Sequence, residues 1–477
     1  MQLFRTDDIS KTAIRCSGIR YTYSDFNRDM YKIANFFIKN KIKKITIVCE
    51  KNYITYCIIW AAYKAGITFC MLNNNLPNKR LKECFDIFCP DIIISDKNFS
   101  NITSFNNILS GNILSKAKSN RDASNLHSRQ VNSAMCVLFT SGSTGKPKGV
   151  VILRKAFEEV IEWARNNLGM NAEDVVGQYC DLSFDMGLCD VFLALSSGAE
   201  LVAIKELFKL APGRIVKERK ITWIYAVPTL MDIFQKQEDF EKGNLDTLKR
   251  IGFGGAPLYR RNMEYICNNN PNLTIYNTYG PTETTIFTSA IIFAANAFDA
   301  ITEKSVCLGT PIKGVTYETK KRKDGLMELV VLGNHCLAGY LSSDDQFDIM
   351  NAKSKERFET GDIVYLKNDN YYFVARKDNQ VKVRGNRINL DAVDSQISAL
   401  RLRSVTMVID EKLVAFYEGN LSNAKIRKIL SKYLPPNSIP DEFIHRDNIP
   451  LNKNGKNDKS KLLKYYRELC DSNKTEE

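Results

Sequence analysis

The sequence predicts an α/β protein of two domains. Residues 1–377 read as a large domain of mostly parallel sheets with helices and a strand-rich subdomain, and residues 378–477 as a small α+β domain. Short apolar runs alternate with helical patterns through much of the chain, which favours parallel sheets covered by helices. From about Val306 the pattern turns to strands joined by tight turns, and from Asp378 to one strand pair with helices. A length of 477 residues fits two to four domains and buries ample core without disulfides or metal.

In chain order, Lys44–Cys49 is a β-branched apolar run too short for a helix and reads as a buried strand. Ile54–Ala65 reads as an apolar helix. The run Tyr53–Tyr63 falls short of the roughly 20 residues that span a bilayer, and Lys64 and Gly66 interrupt it. Asp91–Ser95, Met135–Phe139 and Trp223–Val227 read as strands, and Phe157–Leu168 has helical spacing. Ser115–Gln130 is polar and reads as a mobile loop. Gly325–Leu332 and Tyr371–Arg376 read as strands of the second region. Met407–Asp410 and Leu413–Tyr417 form the strand pair of the third, whose latter half Pro435, Pro436, Pro440 and Pro450 break into loops.

Sixty-seven basic against 54 acidic residues give a net charge of +13, and the pI is near 9.0. No zinc-finger, RNP or basic-helix signature accompanies this charge, so a nucleic-acid partner is not expected. Lysines on solvated faces account for it, and an acidic protein partner would be steered by it. The 13 cysteines are scattered without C-x-x-C spacing, and His127, His335 and His445 are far apart, which argues against a zinc site. Single thiols and a charged, polar start over Met1–Ser10 predict a cytoplasmic protein with no membrane insertion.

Directly after the strand ending at Phe139 comes Thr140-Ser-Gly-Ser-Thr-Gly-Lys-Pro-Lys-Gly149. Glycines turn backbone N–H groups inward, and hydroxyls and ammonium groups add donors, so the loop suits a polyphosphate. The Walker spacing is absent. The string closely resembles the phosphate loop of the AMP-forming adenylating superfamily, which includes acyl-CoA synthetases, luciferases and the adenylation domains of peptide synthetases. Further motifs agree in family order: Gly254-Gly-Ala-Pro257, Asn277-Thr-Tyr-Gly-Pro-Thr-Glu-Thr284, Thr360-Gly-Asp362, Arg376-Lys-Asp-Asn-Gln-Val-Lys-Val-Arg-Gly-Asn-Arg387 and Pro450-Leu-Asn-Lys-Asn-Gly-Lys456.

The resemblance implies ATP as substrate and Mg²⁺ as cofactor. ATP would be bound by Thr140, Ser141, Gly142, Ser143, Thr144, Gly145, Lys148, Gly255, Ala256, Pro257, Asn277, Thr278, Tyr279, Gly280, Pro281, Thr282, Asp362, Arg376 and Lys456. Lys456, Thr282 and Glu283 would be catalytic, with Glu283 the Mg²⁺ ligand and Asp378 the hinge between domains. Amino-acid-activating members carry a Phe-Asp pair whose Asp binds the substrate ammonium, and Asp185 in Cys180-Asp-Leu-Ser-Phe-Asp-Met-Gly-Leu-Cys189 matches it. A helix-capping Asp is the plain alternative. The same register places Met186, Cys189, Tyr225, Gly252, Gly254, Thr278, Ile286 and Phe287 around the substrate side chain.

Free-standing D-alanine–carrier protein ligases are the nearest resemblance, although Gly254 stands where they have a cysteine. Asn73-Asn-Asn75 and Ala375 also depart from the family pattern. The implied reaction is formation of an aminoacyl-AMP from a small amino acid, with release of pyrophosphate. Transfer to the phosphopantetheine thiol of a separate carrier protein follows, since too few residues follow Lys456 to form one. Arg384 to Arg387 would line the thiol's path. The rival readings are an acyl-CoA synthetase acting on a non-amino acid and a catalytically silent nucleotide-binding protein.

Overall fold

The structure, a computed structural model, describes residues 8–117, 133–141, 147–205, 209–295, 297, 305–322, 325–342, 347–349, 351–377, 380–451 and 457–474. Contacts divide the chain into two compact units. The larger is Met1–Asn74, Cys84–Phe139 and Gly149–Lys377, and the smaller is Asn75–Glu83, Thr140–Lys148 and Asp378–Glu477.

One sheet runs in the order Thr310–Pro311, Ser289–Ala294, Thr274–Tyr279, Arg250–Phe253, Trp223–Ala226, Val175–Gln178, Glu200–Ala203, Thr12–Cys16, Ile19–Thr22. Its six central strands pair in parallel, and antiparallel strands close both edges. A second sheet runs Gly339–Leu341, Pro147–Leu153, Ala134–Ser141, Thr68–Met71, Lys44–Val48, Ile92–Ser95, Asn107–Leu109, with parallel pairs through its second half. The expected strands Lys44–Cys49, Asp91–Ser95, Met135–Phe139 and Trp223–Val227 are all present to within a residue or two. Burial on both faces explains their unbroken apolar character.

Residues of both sheets share one continuous core. Its helices include Tyr53–Lys64, Arg154–Asn167 and Asp185–Ser196, joined through Trp60 stacked on Phe192 at 4.7 Å and Phe157 edge-on to Phe192 at 5.1 Å. Asp185–Ser196 is buried along its whole length, as a helix apolar over most of its surface must be. Elsewhere local signals set the ends: Thr22 and Asp25 form a reciprocal capping box for Tyr23–Lys39. The strand-rich region is an antiparallel meander of Val315–Lys321, Met327–Gly333, Arg357–Lys367 and Asn370–Arg376.

The smaller unit holds a hairpin, Gln380–Val383 with Asn386–Asn389, and a sheet of Arg403–Ile409, Lys412–Glu418 and Glu442–His445. The third strand corrects the expectation of a single strand pair followed by loops. Glu442–His445 begins two residues after Pro440 and joins Lys412–Glu418 in parallel, so a proline beyond the preceding 3₁₀ turn does not prevent the strand. Leu413 and Ala415 pack on one face with Ile426 and Leu430, while Val414 and Phe416 pack on the other with Leu462 and Tyr466. This is the period-2 alternation of a strand covered on both sides.

Most of the expected mobile loop, residues 118–130, lies outside the described residues, and Ile113–Lys116 is helical. All thirteen cysteines are free. Among the described residues no helix is long and apolar enough to cross a membrane.

Candidate substrate and nucleotide site

The site residues of the larger unit gather at the carboxyl ends of the first sheet's parallel strands, where open α/β sheets place their ligands. The strand Val175–Gln178 leads through Cys180–Phe184 into the helix Asp185–Ser196. Asp181 shapes that entry: its Oδ1 accepts the backbone N–H of Ser183 at 2.8 Å, and its carbonyl accepts that of Phe184 at 3.2 Å. Gly187 is required here, since a Cβ would lie 2.1 Å from the Asp181 carbonyl oxygen. Asn73, one of the family departures, donates to Asp181 Oδ2 at 2.8 Å.

Asp185 is the first residue of the helix and is buried, with Oδ1 accepting the Met186 N–H at 2.8 Å. The carboxylate therefore does cap the helix start in part, and the helix dipole favours its charge. It also stands beside the other expected residues. Burial pushes the Tyr225 phenol and the Cys189 thiol well above their usual values, and the Asp185 charge adds a smaller push to each. Met186 Sδ is 3.3 Å from where a Cβ on Gly255 would be, so the helix start abuts the Gly254–Gly255 loop. Gly255 itself has φ +77°, a conformation that glycine adopts without strain. Ala256 and Pro257 follow half-buried.

Thr274–Tyr279 is the next strand. Asn277 donates to the Cys307 carbonyl at 2.8 Å and Thr278 to the Phe253 carbonyl at 3.0 Å. Tyr279 is buried, and its hydroxyl donates to Asp362 Oδ2 at 2.6 Å. Asp362 Oδ1 meets Arg376 at 2.8 Å, and the same guanidinium donates to the Thr360 carbonyl at 2.8 Å. Tyr279, Asp362 and Arg376, all expected at the nucleotide, thus form one hydrogen-bonded group.

Gly280, Pro281, Thr282 and Glu283 lead into a tight return. A Cβ on Gly280 would lie 2.5 Å from Phe287 Cα. Thr285 and Ile286 both have positive φ, 62° and 68°, which is strained for β-branched residues. The return is held by hydrogen bonds of Thr284 N to Pro281 O, Phe287 N to Thr285 O and Thr285 Oγ1 to His335 O, at 2.8, 2.9 and 2.8 Å. Phe287 packs edge-on against Trp163 at 5.8 Å, so Ile286 and Phe287 are core residues with their backbone at the site.

Glu283 is buried, its Oε1 accepts the Tyr340 hydroxyl at 3.3 Å, and its backbone carbonyl accepts Leu337 N–H at 2.7 Å. A hard oxygen ligand of this kind fits Mg²⁺, which takes one or two carboxylates and completes its shell with phosphate and water. Among the described residues no cluster of three His, Cys, Asp or Glu could hold a metal alone.

In the smaller unit, Thr140 Oγ1 approaches the Lys148 carbonyl at 3.5 Å, and Lys148 is exposed. The backbone of Ser141 ends the strand Ala134–Ser141. Gly142, Ser143, Thr144, Gly145, Asp378 and Lys456 lie outside the described residues. Arg384 has φ +48° and pairs with Asp441 at 2.9 Å, a partner that the sequence did not suggest. Tyr340 and the Phe253 carbonyl were also missed. Each reaches the site through a contact far apart in the chain, and no local pattern marks it.

Comparison with known proteins agrees with this fold. Gramicidin S synthase 1 of Brevibacillus brevis is 27% identical over 97% of this chain, which spans 44% of that protein. The D-alanine–D-alanyl carrier protein ligase of Listeria monocytogenes is 25% identical over 94% of both chains. The crystal structure of the Vibrio cholerae adenylation domain AlmE in complex with glycyl-adenosine-5'-phosphate has the same fold, with a TM-score of 0.79 at 21% identity over 96% of this chain and 95% of that one. The family model for AMP-binding enzymes matches residues 5–341, more than two thirds of the sequence, and this chain belongs to that family.

Proposed function

We propose that the protein activates an amino acid as its aminoacyl-AMP and passes the aminoacyl group to the phosphopantetheine thiol of a separate carrier protein. The observation that carries this reading is Asp185, a buried carboxylate at the start of a buried helix that abuts the Gly254–Gly255 loop. A buried carboxylate at this helix start is well matched to a substrate ammonium, since an ammonium drawn out of water needs an anionic partner. The names of relatives, a D-alanyl carrier protein ligase among them, and the glycyl-adenosine-5'-phosphate bound by a protein of the same fold, support it.

In this reading the substrate carboxylate attacks the α-phosphorus of ATP. The bond to the bridging oxygen breaks, and pyrophosphate leaves with the electron pair. Asp362, with Arg376 and Tyr279 fixing its orientation, accepts hydrogen bonds from the ribose, and the Thr140–Lys148 loop donates to the phosphates. Glu283 would hold Mg²⁺, which supplies charge neutralisation on the phosphates. Lys456 bridges the acyl oxygen and the α-phosphate, two anions that a compact ammonium can hold together. The unit from Asp378 onward then withdraws Lys456, and the carrier thiolate attacks the acyl carbonyl as AMP leaves. The net charge of +13 suits an acidic carrier.

Isotope exchange between pyrophosphate and ATP, run against a panel of amino acids and simple fatty acids, tests the reading. Exchange driven by an α-amino acid and not by fatty acids supports it. Exchange with fatty acids alone, or with no acid, overturns it.

A further inference from the structure

We propose that Tyr225 is a fixed plug that limits the substrate's side-chain compartment to glycine; the inference rests on the amino-acid-activating reading above. Tyr225 lies on Trp223–Ala226 directly opposite Gly252 of the neighbouring strand. Its ring fills the space that side chains on the two glycines beside it would take. A Cβ on Gly252 would lie 2.8 Å from Tyr225 Cδ2, and one on Gly254 would lie 2.7 Å from the Tyr225 hydroxyl and 2.8 Å from Thr278 Oγ1. These are the strand ends against which the helix start bearing Asp185 and Met186 packs.

The ring is also tethered. Thr278 has one hydroxyl proton and donates it to the Phe253 carbonyl at 3.0 Å. Its 2.6 Å contact with Tyr225 therefore runs the other way, with the phenol donating to Thr278 Oγ1. Both residues are buried, at 6% and 5% exposure, so swinging the ring aside would strand a buried hydroxyl. A plug held in this way excludes rather than adapts. Both hydroxyl protons are committed, so the relay has no donor left for a polar side chain. On this proposal an amino acid held through its ammonium at Asp185 meets the Tyr225 ring as soon as it carries a side chain.

The test is pyrophosphate exchange with glycine, both alanine enantiomers, 2-aminobutyrate and leucine, on the wild type and on Tyr225→Ala, Tyr225→Phe and Gly254→Ala, each with a thermal melt to establish folding. In the wild type glycine should give the highest kcat/KM, with alanine at least about tenfold lower and leucine lower still, in line with discrimination of about 10–200-fold per methylene. Tyr225→Ala should raise leucine relative to glycine by at least about tenfold. Tyr225→Phe keeps the ring and loses the tether, so it should keep the preference for glycine but discriminate less against alanine. Gly254→Ala should cut glycine exchange by displacing the hydroxyl pair. A wild type that prefers leucine, or a folded Tyr225→Ala with unchanged preference, overturns the plug and leaves amino-acid activation standing. Exchange driven by no amino acid overturns the reading beneath it, and the plug with it.

Discussion

Replacing Arg376 by alanine should cost the larger unit about 3–5 kcal/mol, the loss typical of leaving one member of a buried ion pair behind. Asp362 and Arg376 stand opposite each other on adjacent strands. Their side chains are 3% and 9% exposed at a separation of 2.8 Å. An exposed pair would be worth about 0–1 kcal/mol, so burial decides the magnitude. Without the guanidinium, Asp362 keeps the Tyr279 hydroxyl on Oδ2 and its charge loses its cation, while the Thr360 carbonyl loses a donor. All three tryptophans, Trp60, Trp163 and Trp223, belong to the larger unit, so the urea transition followed by tryptophan fluorescence reads that unit. The double variant Arg376→Ala/Asp362→Asn removes the stranded charge and should be more stable than Arg376→Ala by at least about 1 kcal/mol. A loss below about 1 kcal/mol for Arg376→Ala, or simple additivity in the double variant, would refute the reasoning.

Asp185→Ala should lower kcat/KM for α-amino acids by about 3–5 kcal/mol of transition-state binding and affect des-amino analogues far less; equal losses would make Asp185 a structural cap. Lys456→Ala should abolish pyrophosphate exchange and still transfer a presynthesised aminoacyl-adenylate to a thiol, so surviving exchange would contradict its assigned role. Burial holds the His335 imidazole below its usual value, against the opposing pull of Glu159 at 3.6 Å. The unfolded chain therefore takes up a proton as pH falls past about 6.5 and the folded one does not. The stability is whole above that pH and is lost as pH falls toward the folded value. Both ring nitrogens lack hydrogen-bond partners among the described residues, so His335→Leu should shrink the drop in thermal midpoint between pH 7.5 and 5.5, and an unchanged drop would exclude His335 as its source.

By itself the sequence determined what depends on neighbours along the chain. The apolar runs Lys44–Val48, Ile92–Ser95 and Trp223–Ala226 declared buried strands because β-branched residues without polar alternation fit a sheet covered on both faces. The motifs marked the loops at the strand ends because turns and close approaches demand glycine at given positions, as at Gly280 and Gly255. Local reading failed at Glu442–His445, where the prolines signalled loops and only pairing with a distant strand makes the segment extended. Tertiary structure alone decided which side chains meet: Tyr225 with Thr278, Glu283 with Tyr340, and Tyr279 with Asp362, separated by 53, 57 and 83 residues. Such contacts follow from strand order and register, which many sequences share. Their hydrogen bonds need placement to within a few tenths of an ångström, and in these pairs only the packed fold supplies it.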